Sequence, residues 1–197
     1  MIPAFVKNIR TCILITSTTL LISCASPITT IQLQPTLLAP DQGTQLANKE
    51  AWDIMSQDYR VEQYLIAVVN GRKAATLINE STSSHLIIEE TLKNQWQKEG
   101  LNFALNSPNQ ITIKIVKLLA SVKQTTVSYS TDSNVIINVQ LKTQDKLFNK
   151  VFKSNFRKEG PFGVDIDATA KQLNTQLSEL LNQIINDPEL NNKLQQR

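Results

Sequence analysis

Groups that do bond-making chemistry are scarce in this sequence, which holds two cysteines and one histidine among 197 residues. Glycine is scarce as well, with five in all. Asn70-Gly71-Arg72-Lys73 therefore reads as a tight turn and not as a phosphate-binding loop, which needs several glycines and a following helix. Aromatic residues make up only 6% of the chain. No basic stripe interleaves with them, so nucleic acid is not an expected partner. The uncharged span between Arg10 and Cys24 is shorter than the roughly 20 apolar residues that a membrane-crossing helix requires. No metal-ligand spacing occurs, and no cofactor is expected.

What the chain does have is an address. Lys7 and Arg10 form a positive leader with no acidic residue before Ser23, and an apolar stretch from Ile13 to Ile22 follows. Those are the parts of an export signal. It closes on Leu20-Leu21-Ile22-Ser23-Cys24-Ala25, which resembles a bacterial lipobox. In that class the peptide is cut between the positions of Ser23 and Cys24, and the cysteine carries the acyl chains. Two or three chains hold a protein on a bilayer far more firmly than one. Ala25 after the cysteine, instead of Asp, implies sorting to the outer membrane. Removing Lys7 and Arg10 lowers the formal charge from +3 to about +1, so the sequence pI of 8.8 owes much to the leader. With Cys12 removed and Cys24 acylated, no thiol remains for a disulfide, and the exported domain must rest on its hydrophobic core.

Composition divides the chain into a signal (residues 1–23), a lipidated, proline-containing tether (24–48), a domain (49–186) and a short C-terminal tail (187–197). The tether carries Pro27, Pro35 and Pro40, which disfavour helix, and Thr30–Leu33 is spaced to dock on the domain as an extended piece. In the domain, Trp52–Ser56 and Tyr64–Val69 read as strands, with Lys73–Ile78 a candidate return strand after Asn70-Gly71. Ile88, Leu92 and Trp96 mark one helix face, capped by one of Ser81, Thr82, Ser83 or Ser84 and closed by Gly100. Ile111, Ile113 and Ile115 alternate and continue through Leu118–Val122. Thr125–Tyr129 and Asn134–Leu141 follow, with a turn or bulge at Thr131–Ser133, and then Leu147–Phe156. Asp165 or Asp167 caps a second helix with a stripe of Leu173, Leu177, Leu180, Leu181 and Ile184. The expected fold is α+β: an antiparallel sheet with two helices packed on one face, in the order β-β-α-β-β-β-α.

Candidate chemistry is sparse. His85 lies among Ser81, Ser83 and Ser84, but hydroxyls at a helix start read as caps, and no third group orients the imidazole. Asp58 and Arg60 read as an ion pair that fixes a loop. Asp165 and Asp167 lack the remaining ligands of a calcium loop and read as helix capping. Trp96 falls in the apolar stripe and reads as core. Catalytic residues: none.

The lipobox, Pro27–Pro35, Asp58-Tyr59-Arg60, the helix closing on Gly100, the long strands from Ile111 to Leu141 and Gly160-Pro161-Phe162 come in an order that resembles the YajG lipoproteins of Gram-negative bacteria. The likeness covers nearly the whole precursor. It implies an outer-membrane lipoprotein on the periplasmic side, with a domain similar to the N-terminal domain of TolB and no established activity. The resemblance transfers a functional role to Cys24 alone. The partners implied are the outer-membrane bilayer, through the acyl chains, and a periplasmic protein. The function expected is a non-enzymatic accessory or interaction module, the alternative being a lipoprotein that binds a small ligand or an envelope polymer.

Overall fold

The computed structural model describes residues 29–38, 46, 50–144 and 146–195. Ser23 and Cys24 lie outside them. The elements run β1 (Thr30–Ile31), β2 (Ala51–Asp58), β3 (Tyr64–Asn70), β4 (Thr76–Glu80), α1 (Ser84–Lys98), β5 (Asn102–Phe103), β6 (Asn109–Gln124), β7 (Ser128–Lys142), β8 (Leu147–Pro161), α2 (Ile166–Ile185) and α3 (Pro188–Gln195).

This corrects the expected two helices on an antiparallel sheet in the order β-β-α-β-β-β-α. There are three helices among the described residues, and the sheet is mixed. β2 and β3 lie end to end along one edge of β6 and both run parallel to it, β2 beside Asn109–Ile115 and β3 beside Ala120–Gln124. β7 pairs antiparallel with the other edge of β6, and β8 with β7. Parallel neighbours need a long crossover, which β4 and α1 supply. Alternation of apolar residues reports which face of a strand is buried and not the direction of its neighbour, so this pairing is invisible in the sequence. The third helix was expected as a tail. It packs because Leu190 and Leu194, four residues apart, are both fully buried, and because Lys150 of β8 holds Asp187 and Glu189, each at 2.8 Å.

β6 shows how the core face is kept. Ile111, Ile113 and Ile115 point into the core, and so do Leu118, Ala120 and Val122, although the two sets differ in parity. A register shift at Val116 reconciles them by leaving that residue out of the pairing with β7. Without this bulge, the second half of the strand would turn its apolar side chains to solvent. The break expected at Thr131–Ser133 does not occur, because β7 is continuous there and pairs with Ala120–Val122.

The sheet has two ends. One gathers the β3–β4 turn with Gly71 at φ +58°, the β6–β7 turn at Thr125–Val127, and the end of β8 at Pro161 with Phe162 after it. The other holds the start of β2 and of β6 and the β7–β8 connection. α1 and α2 pack on the buried face.

Candidate functional site

Two features that look separate in the sequence meet where β2 gives way to β3. Asp58 ends β2, and Arg60 folds back on it: Nε donates to Oδ1 at 2.9 Å and Nη2 to Oδ2 at 2.7 Å. The same Nη2 donates to Glu80 Oε2 at 3.0 Å, across to the end of β4. That oxygen also accepts the backbone N–H of Ser84 at 3.1 Å and its hydroxyl at 2.6 Å. None of the expected hydroxyls accepts a hydrogen bond as the cap of α1. The Glu80 carboxylate takes that place, a favourable position for an anion at a helix N-terminus.

Arg60 is only 6% exposed. Its hydrogen bond holds the Asp58 carboxyl below its usual range, and the two carboxylates raise the guanidinium against the opposing pull of burial. Ser84 is thus committed to Glu80, and Ser81 Oγ donates to the carbonyl of Ile31 at 3.3 Å. His85 Nδ1 is buried without a protein partner, as is Arg60 Nη1. No hydroxyl is aimed at the imidazole by these bonds, so the cluster braces a junction of β2, β4 and α1. The signal missed in the sequence was Glu80, twenty residues from Arg60 and without a local motif.

A second polar array was also missed. Residues 34–38 run extended along α2, where Gln34 N–H donates to Asn174 Oδ1 at 2.7 Å, Thr36 N–H to Ser178 Oγ at 3.0 Å and Leu38 N–H to Asn182 Oδ1 at 3.0 Å. Asn174 Nδ2 returns a bond to the Gln34 carbonyl at 3.1 Å. Four helical residues rise about 6.0 Å and two extended ones about 6.6 Å, so the spacings match. Asn174, Ser178 and Asn182, spaced four residues apart along α2, were the readable sign. Upstream, β1 pairs with β4 and Leu33 is buried. The segment expected to dock at Thr30–Leu33 therefore continues as a strap to residue 38.

Two cavities open on the surface of the described residues. One of about 610 Å³ opens at the Asn109 end between Trp52, Ser107, Pro108, Leu141 and Phe148. One of about 240 Å³ lies under the start of α2, beside Tyr129, Thr131, Phe156 and Gln172. Asp165 caps α2 by accepting Ala168 N–H at 3.0 Å, and no cluster of three or more potential metal ligands exists among the described residues.

Glu99, at the close of α1, is a buried carboxyl with one oxygen on Gln95 Nε2 at 2.8 Å and the other without a partner. Burial pushes its pKa above 4.5. A raised folded-state value means that stability is lost as pH climbs from about the unfolded value through the folded one. Glu99→Gln is expected to stabilise the protein by about 1 kcal/mol at pH 7 and to do almost nothing near pH 4. Urea titrations at the two pH values check this.

The lipoprotein class follows from comparison with known families. Residues 38–195 match the family described as uncharacterized lipoprotein, and the chain belongs to that family. The chain is 26% identical over 179 residues to the uncharacterized lipoprotein YajG of Escherichia coli K12, covering 90% of this chain and 92% of that one. The same figures hold for YajG of the O6:H1 strain. In fold it is similar to the crystal structure of protein XCC0632 from Xanthomonas campestris, with a TM-score of 0.59 and 9% identity over 84% of this chain and 97% of that one. Family membership agrees with the lipid-anchored address read from Leu20–Ala25.

Proposed function

We propose that this protein is a non-enzymatic accessory module of the cell envelope, acylated at Cys24, held on the periplasmic side of the outer membrane and engaging a periplasmic protein. The observation that carries this reading is the strap. The chain from Thr29 to Leu38 is hydrogen-bonded to β4 and α2, so the domain is fastened within a few residues of Cys24. The bonds that occupy Ser81 and Ser84 support the absence of a catalytic role for His85.

A partner surface is available at β8. Among the described residues it pairs only with β7 and leaves a 15-residue edge, and edges of this kind accept an added strand. Lys150, Lys153 and Lys158 along it are the residues that discourage indiscriminate pairing.

The test is intact mass and membrane fractionation of the full-length protein beside Cys24→Ala. The wild type is expected to begin at Cys24, carry acyl mass and sediment with outer membranes, and the variant to lose both mass and sedimentation. Two unmodified soluble proteins would overturn the reading.

A further inference from the structure

We propose that the Gly71 end of the sheet rests on the headgroup layer of the membrane that holds the protein's own acyl anchor, with Val127 and Phe162 entering the interface and Arg72, Lys73 and Lys123 facing lipid phosphates. The inference rests on acylation at Cys24.

Chain length sets the orientation. Thr30 pairs with Asn79 and Thr29 accepts the Asn79 N–H, so the chain enters β1 from the side of Ile78. Ile78 faces Ile66, and Ile66 faces Ala120, which puts the entry point level with Ala120 of β6. From Cys24 to Thr29, five peptide units reach at most about 18 Å. The Gly71 end, level with Gln124, is four residues away, roughly 13 Å along the strand. The opposite end at Asn109 is eleven residues away, roughly 36 Å. The anchor reaches the first and falls well short of the second.

The chemistry of that end agrees. Val127 and Phe162 are 71% and 73% exposed, and Phe162 N–H donates to the Val127 carbonyl at 2.9 Å, so the two are neighbours. Phe162 sits at φ +61°, a left-handed conformation that a phenylalanine rarely adopts. An exposed ring on a strained backbone has no packing reason here, and such outliers cluster at functional positions. Arg72, Lys73 and Lys123 are exposed around them. The nearest acids are otherwise engaged or set back: Glu159 pairs with Arg157 at 3.0 Å, Asp165 caps α2, and Asp167 lies in the first turn of that helix. Basic groups beside an apolar anchor are the pattern that adds to acyl binding on anionic lipid.

The experiment uses the acylated protein, purified from outer membranes and placed in vesicles of phosphatidylethanolamine and phosphatidylglycerol. Single thiols introduced as Val127→Cys, Phe162→Cys, Leu105→Cys and Leu147→Cys carry a nitrobenzoxadiazole fluorophore, read by quenching from spin-labelled lipid. Quenching at the first two positions is expected to exceed that at the last two by at least twofold. Reversal of charge by Arg72→Glu with Lys73→Glu is expected to halve the quenching of the Val127→Cys label, and no change would remove the basic residues from the proposal. Equal quenching at all four positions, or stronger quenching at Leu147→Cys as in a sheet lying flat, overturns the orientation. Flotation separates the two readings: protein that does not float with vesicles sinks the acylation and the orientation together, whereas floating protein with unquenched labels at 127 and 162 sinks the orientation alone.

Discussion

Arg60→Met is expected to lower stability by about 3 kcal/mol at neutral pH, near the lower bound for breaking a buried ion pair from one side. The value is set by what remains. Asp58 and Glu80 keep their charges, with side chains 17% and 20% exposed, so water recovers part of the lost solvation. Ser84 at the start of α1 keeps its bond to Glu80, yet the carboxylate loses the cation that fixes it. A domain of this size shifts its melting temperature by about 2–4 °C per kcal/mol, so a fall of roughly 6–12 °C is expected. The pH dependence carries the diagnosis. Asp58 has a depressed folded-state pKa, so its contribution is present above the unfolded value of about 3.9 and is lost as pH falls through the folded value. The gap between wild type and variant is therefore expected to narrow below pH 4. Chemical denaturation at pH 7 and pH 3 measures it, and a gap that stays constant would show that lost packing, and not charge, causes the loss.

Trp96→Ala is the other large effect, at about 3–5 kcal/mol. Trp96 is fully buried at the end of α1, in the cluster formed with Ile88, Leu92 and the strands beneath. Removing the indole leaves a cavity that a helix pinned at both ends cannot collapse to fill: Glu80 holds its start, and Gly100, at φ +97°, turns the chain at its close. Trp96→Phe separates volume from polarity. The indole N–H has no protein partner, so exchanging it for phenylalanine removes an unpaired donor along with some volume, and the loss is expected to be under about 1.5 kcal/mol. Urea unfolding of both variants tests the contrast. Equal losses would mean that the indole nitrogen is satisfied in solution.

Local chemistry was legible in the sequence, and long-range pairing was not. A cap at Asp165 or Asp167, the Gly100 turn, the Leu173–Ile184 stripe and the alternation at Ile111–Ile115 all follow from residue type and period, and the structure carries each of them, with Asp165 as the cap. The Val116 bulge was hidden because a single exposed valine in an apolar run has no signature. The parallel placement of β2 and β3 beside β6 depends on a crossover path, and the Arg60–Glu80 bond joins residues with no periodic relation. The candidate residues Asp58, Arg60, Ser84 and His85 were all in view, but nothing local brought the first pair to the second. Cys24 lies outside the described residues, and its reading rests on a linear pattern alone.

The strap has a mechanical consequence. A pull on the N-terminus along the sheet axis loads β1 and residues 34–38 lengthwise, so the bonds to Asn79, Asn174, Ser178 and Asn182 bear the force together and not one after another. The segment from Thr29 to Leu38 and the domain then move as one body under drag or traction within the envelope.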